Sequence, residues 1–121
     1  MGHLTVFTDG RWRGRTLREW LPDIVDEIVE AHHPLRIILF GSLARGEERR
    51  ESDIDLVVVF DEAPREEKTQ LMSAIYRTVG GKVPVDVIVT DPGEIARRGH
   101  LPGSILYPAL REGVVVYDRA A

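Results

Sequence analysis

The stretch from Ile37 to Val59 runs Ile-Ile-Leu-Phe, then Gly-Ser, then a charged segment, then Ser-Asp-Ile-Asp-Leu-Val-Val-Val. It reads as an apolar strand, a tight turn, a charged loop over Ser42 to Ser52, and a second apolar strand with two aspartates at its mouth. Side chains alternate along a strand, which sends Asp53 and Asp55 to one face and Ile54 to the other. Glycine at 41 lets backbone amides come close to a ligand, and a short helical turn after it would aim unpaired N–H groups at an anion. Two carboxylates facing an anion of phosphate size call for a divalent cation between them.

Asp86 is the third acidic residue of interest. It sits within Val83-Pro-Val-Asp-Val-Ile-Val89, a third apolar run, and so reads as a mid-strand carboxylate. Such a group is costly to bury unless it is paired or bound to metal. If this strand lies beside Ile54 to Phe60, Asp86 joins Asp53 and Asp55. Carboxylates about 5 Å apart repel by roughly 3 kcal/mol per pair at an effective dielectric of about 20, a repulsion that a bound cation offsets. All-oxygen ligands favour Mg²⁺ or Mn²⁺ over zinc. Taken singly, Asp53 also suits a turn, and Asp86 also suits an ion pair with Arg36 or Arg45.

The remaining segments supply a frame for these strands. Leu4 to Phe7 reads as a short strand, with Asp9-Gly10 as its turn and Arg11 to Arg15 as the return. Thr16 and Glu19 form a capping-box pair ahead of a helix. Leu17, Trp20, Leu21, Ile24, Val25 and Ile28 keep helical spacing. Pro22 allows either a turn followed by a helix or one kinked helix, ended by His32, His33 and Pro34. Leu35 to Gly41 is the first central strand, its unbroken apolar run implying burial on both faces. Pro64 opens a helix over Arg65 to Val79 with Leu71, Met72, Ile75 and Val79 as its inner stripe, stopped by Gly80-Gly81. Asp91 and Glu94 are a second capping pair, for a helix to Arg98. Ser104 to Glu112 reads as a last helix and Val114 to Tyr117 as a closing strand. The order β-α-β-loop-β-α-β-α-α-β gives an α/β or α+β fold with helices on a small mixed sheet. Residues 1–16 read as an N-terminal hairpin or extension, and residues 17–121 as one domain.

Composition excludes several function classes. The 121 residues carry no cysteine, so disulfides and thiolate metal sites are out. No apolar run approaches the roughly 18 residues of a membrane span, and no secretory signal is visible, which makes the cytoplasm the expected compartment. A net charge of −4 gives no general attraction to nucleic acid. The aromatic residues form no stacking ladder. Trp12 and Trp20 read as core or partner contacts. Glu47, Glu48, Arg49, Arg50 and Glu51 read as a solvated loop, and His100 as a loop residue that could approach a ligand.

Phe40-Gly41-Ser42-Leu43-Ala44-Arg45-Gly46, followed by Ser52-Asp53-Ile54-Asp55-Leu56 and by Asp86 on an apolar strand, resembles the signature of the DNA polymerase β nucleotidyltransferase superfamily. The run is similar to its minimal nucleotidyltransferase (MNT) branch, as is the closing segment of residues 103–117. The resemblance covers residues 17–118 and implies a polymerase-β-like fold. It implies that Asp53 and Asp55 hold Mg²⁺ on a nucleoside triphosphate, and that Asp86 completes the metal site and helps deprotonate the attacking hydroxyl. Gly41 and Ser42 would hold the β- and γ-phosphates. Arg45 would either neutralise the triphosphate or brace the loop against an aspartate.

MNT proteins are commonly paired with a small helical HEPN toxin, so the resemblance implies AMP transfer from ATP to a tyrosine of that partner. The chain would then be an antitoxin acting by adenylylation. A different class of function is also compatible: a non-catalytic nucleotide-binding antitoxin subunit that neutralises its partner by contact. Transfer to a small molecule such as an aminoglycoside fits less well, because no segment is left over for an acceptor domain. Self-association into a homo-oligomer is compatible with either reading.

Overall fold

A computed structural model describes residues 7–8, 11–49 and 52–121. A two-residue pair of strands, β1 (Phe7–Thr8) and β2 (Arg11–Trp12), leads into helix α1 (Leu17–His32). The expected strand from Leu4 falls outside the described residues except for Phe7, as does the Asp9-Gly10 turn. The expected cap of α1 forms in full: the Glu19 amide donates to Thr16 Oγ1 at 3.1 Å, and Glu19 Oε1 accepts from the Thr16 amide at 2.8 Å. The helix runs on through Pro22 without a break, and His33 ends it in the left-handed conformation.

The main sheet has four strands: β3 (Arg36–Phe40), β4 (Ile54–Val59), β5 (Val85–Thr90) and β6 (Val114–Asp118), in the order β5-β4-β3-β6. β4 pairs antiparallel with β3 and parallel with β5, while β6 pairs antiparallel with β3 across an irregularity between Ile37 and Ile38. Between β3 and β4 lies the short helix α2 (Gly41–Arg45), so the segment expected as a charged loop from Ser42 begins as a helical turn. A 3₁₀ turn at Arg65–Glu67 precedes α3 (Lys68–Val79), where one continuous helix from Arg65 is expected from the sequence. After β5 come α4 (Pro92–Arg98) and α5 (Leu106–Glu112). The last helix starts two residues later than Ser104, with Ile105 at its N-cap and the Ser104 hydroxyl accepting from the Leu106 amide.

Alternation along the two central strands builds two cores. Ile37, Leu39, Ile54, Leu56 and Val58 pack with Leu17, Ile24 and Ile28 of α1 and Ile75 and Val79 of α3. Ile38, Val57 and Val59 point to the other face and pack with Leu106 and Ala109 of α5. The unbroken apolar run of β3 is thereby buried on both faces, as its sequence requires. The fold is a mixed α+β sheet with helices on both sides. Among the described residues no helix is long and apolar enough to cross a membrane.

Candidate active site

The parallel register of β4 and β5 sets Asp55 opposite Asp86, and the antiparallel register of β3 and β4 sets Asp55 opposite Phe40 on the other side. Asp53, Asp55 and Val57 therefore share a face, that of α5, while Ile54 is fully buried on the opposite one. Asp53, Asp55 and Asp86 each present a carboxylate oxygen within 4.8 Å of the other two. Asp53 and Asp55 are half-buried. Asp86 is exposed, which corrects the expectation of a mid-strand buried acid. It is the second residue of β5, and β5 is an edge strand, so water reaches its carboxylate from the outside.

No Lys or Arg among the described residues forms an ion pair with any of the three carboxylates. The cluster carries its repulsion in Asp55. Burial, a hydrogen bond that the protonated Asp55 carboxyl donates to Asp53, and the charges of Asp53 and Asp86 push the Asp55 carboxyl up to about 7, against the opposing charge of Arg45. Close carboxylates without a cationic partner are a donor set for a hard divalent cation. The residues present fit magnesium or manganese.

Asp55 has a folded pKa above the 3.8 of an unperturbed carboxyl. Its proton-linked stability is fully present below about pH 4 and is lost as pH rises through about 7 in the metal-free protein. A bound divalent cation displaces that proton. Mn²⁺ affinity is therefore expected to rise by up to about tenfold per pH unit between about pH 5 and 7, then level off. Calorimetric titrations across that range check the slope, and a flat profile would remove Asp55 from the ligand set.

Gly41 has φ +76°, which only glycine adopts without strain. A Cβ built there would stand 3.0 Å from Asp55 Cγ and overlap Asp55 Oδ2. The absent side chain is thus the space in which the Asp55 carboxylate sits. The first amides of a helix have no partner within it, and those of α2 open beside this carboxylate. Ser42 Oγ donates to Ser52 Oγ at 2.9 Å, which ties the two ends of the charged segment together. Arg45 is held by Glu47 Oε1 at 2.9 Å and by Glu112 Oε1 at 2.6 Å. Its bracing partners are glutamates, not the aspartate that sequence reasoning weighed, and one of them comes from α5.

Two further residues support the site and were not singled out from the sequence. The Tyr76 hydroxyl of α3 donates to Asp86 Oδ1 at 3.2 Å and accepts from the Val87 amide at 2.9 Å. Glu112 anchors Arg45. A helix-to-strand contact of this kind leaves no local signal; only the helical stripe that places Tyr76 beside Ile75 is readable. Tyr76→Phe removes both hydrogen bonds. It is expected to lower stability in urea by about 1 kcal/mol. It should also weaken Mn²⁺ binding severalfold, as the loss of a residue that orients a ligand does. Mn²⁺ affinity equal to that of the unmodified chain would show that Asp86 is oriented without Tyr76. His100 is exposed in the turn after α4, and His32 bonds Thr78 Oγ1 at 2.7 Å, away from the cluster.

A profile of the nucleotidyltransferase domain family matches residues 19–109. The structure is also similar to a crystal structure from Sulfolobus solfataricus described as a candidate nucleotidyltransferase. The two share 28% sequence identity and a TM-score of 0.58 over 86% of this chain and 82% of that one. No curated protein matches the sequence.

Proposed function

The chain belongs to the nucleotidyltransferase domain family, with the polymerase-β-like mixed sheet, and we propose that it moves AMP from ATP onto a hydroxyl group of a partner protein. The observation that carries this reading is the cluster of Asp53, Asp55 and Asp86, close together, with no cationic partner among the described residues, and beside the Gly41 turn. These three residues would hold magnesium, which supplies charge neutralisation for the triphosphate and the leaving pyrophosphate. The amides of the first turn of α2, at Gly41 and Ser42, take the outer phosphates. Arg45, positioned by Glu47 and Glu112, faces them as a fixed positive charge.

Asp86 keeps one carboxylate oxygen on Tyr76, and the other takes no hydrogen bond among the described residues. The acceptor hydroxyl approaches on this side. Its oxygen bonds to the α-phosphorus, the bond from that phosphorus to the bridging oxygen of pyrophosphate breaks, and the hydroxyl proton passes to Asp86. The acceptor we favour is a tyrosine of a small helical HEPN-type partner, which would make the chain an antitoxin that acts by adenylylation.

Intact-mass spectrometry tests this directly. The protein is incubated with Mg·ATP and the product of its neighbouring gene, beside an Asp53→Asn control. The expected result is a gain of AMP units on the neighbour that is absent from the control. No gain on either chain, with a tight complex still formed, would replace transfer by a binding-only role.

A further inference from the structure

Helix α3 packs on the face of the sheet opposite to the carboxylates, yet one of its side chains reaches them. Tyr76 passes around β5, the edge strand, and brings its hydroxyl to 3.2 Å from Asp86 Oδ1. Among the described residues no other hydroxyl hydrogen-bonds to Asp53, Asp55 or Asp86. The Tyr107 hydroxyl is bonded to Arg111 on α5, and Tyr117 lies on β6 at the far edge of the sheet.

The Tyr76 hydroxyl stands as a nucleophile beside a base. A phenol oxygen carries one proton and two lone pairs. In Tyr76 the proton goes to Asp86 and one lone pair takes the Val87 amide at 2.9 Å, which leaves the second uncommitted among the described residues. A general base acts on a hydroxyl from about 2.6–3.2 Å, and Asp86 Oδ1 lies within that reach. The residue is fixed in place, because Ile75 and Val79 of the same helix are buried in the core. A hydroxyl held beside its base in this way needs no encounter with a second protein.

The order of parts across the sheet sets the direction of attack. Gly41 and α2 follow β3, Asp55 of β4 stands between Phe40 of β3 and Asp86 of β5, and Tyr76 meets Asp86 at the outer edge. Phosphoryl transfer needs the attacking and leaving oxygens roughly in line, on opposite sides of the phosphorus. With the outer phosphates on the α2 turn, pyrophosphate leaves toward β3 and the attacking oxygen comes from the β5 side, where the Tyr76 hydroxyl stands.

We propose that Tyr76 is an acceptor in its own active site, so that the chain adenylylates itself in cis. This rests on the transfer reading above and adds a second acceptor to it. The Tyr76 oxygen bonds to the α-phosphorus of ATP, the bond from that phosphorus to the bridging oxygen of pyrophosphate breaks, and the phenol proton passes to Asp86. The AMP then fills the acceptor side, so a single addition per chain is expected.

The full chain, incubated with Mg·ATP and no other protein and then read by intact mass and fragmentation, tests the proposal. The expected result is a gain of one AMP on Tyr76, absent from the Asp53→Asn variant, at a rate per chain that does not depend on protein concentration. Mn²⁺ gives a second readout without turnover. In protein with isotope-labelled tyrosine rings it should broaden the Tyr76 resonance at lower ion concentration than that of Tyr117, and equal broadening of the two overturns the placement of Tyr76 at the metal site. No gain on the chain, while the product of the neighbouring gene does gain AMP, overturns self-transfer and leaves the transfer reading standing. AMP on another residue overturns self-transfer too, as does a rate per chain that rises in proportion to concentration, which makes the acceptor a second copy. No gain on either protein removes both readings.

Discussion

Asp53→Asn and Asp86→Asn are each expected to lower AMP transfer by at least about a hundredfold, with the thermal unfolding midpoint unchanged or raised. The two effects have one cause. The three carboxylates lie within 4.8 Å of one another, with no Lys or Arg paired to them among the described residues. Without metal they destabilise the fold, and Asp55 shows it in a carboxyl pushed up to about 7. Replacing either neighbour with the neutral isostere removes a repelling charge and also a ligand. The metal-free variant is relieved while the metal-bound one is lost. Differential scanning with and without Mg·ATP reads both sides: the ligand raises the midpoint of the unmodified chain and has little effect on the variants. If both variants fail to fold, the aspartates are structural and the metal reading falls.

Gly41→Ala should be nearly as damaging to activity through a different route. The left-handed φ of +76° costs an alanine about 1–2 kcal/mol. The added methyl also takes the space of Asp55 Oδ2, so the carboxylate must turn away from the cluster. Mn²⁺ affinity and transfer are expected to fall by about tenfold or more, beyond what the stability loss explains. Gly46→Ala is the matched control. Gly46 has φ +71° with nothing within 4 Å of a built Cβ, so it carries the backbone cost alone. Equal Mn²⁺ affinity in the two variants would show that Asp55 is placed by something other than the bare backbone at Gly41.

Most of this site can be read from the chain because strands announce themselves by alternation. The apolar runs of β3 and β4, with aspartates two apart, fix which carboxylates share a face. The Thr16–Glu19 cap and the Gly80 stop are equally local signals. What cannot be read locally is the order of strands across the sheet. That order makes β5 an edge and leaves Asp86 in water, where an apolar sequence context argues for burial. Contacts between distant elements are hidden for the same reason. Arg45 meets Glu112 across 67 positions, and Tyr76 reaches around the sheet edge to Asp86. The helical turn after Gly41 is only five residues long, too short for periodicity to reveal.

The pairing of Asp55 with Asp86 ties the chemistry to strand alignment. A slip of β5 by one position would present a valine to the cluster and turn Asp86 in beneath α3, because side chains change face at every residue. Such a molecule would keep much of its secondary structure yet hold no cation. If the cluster takes a cation as proposed, divalent-ion stoichiometry is a quality assay for this protein. The fraction of chains that bind an ion counts the fraction whose sheet has closed in the right alignment, something that a far-ultraviolet spectrum of the same sample would miss.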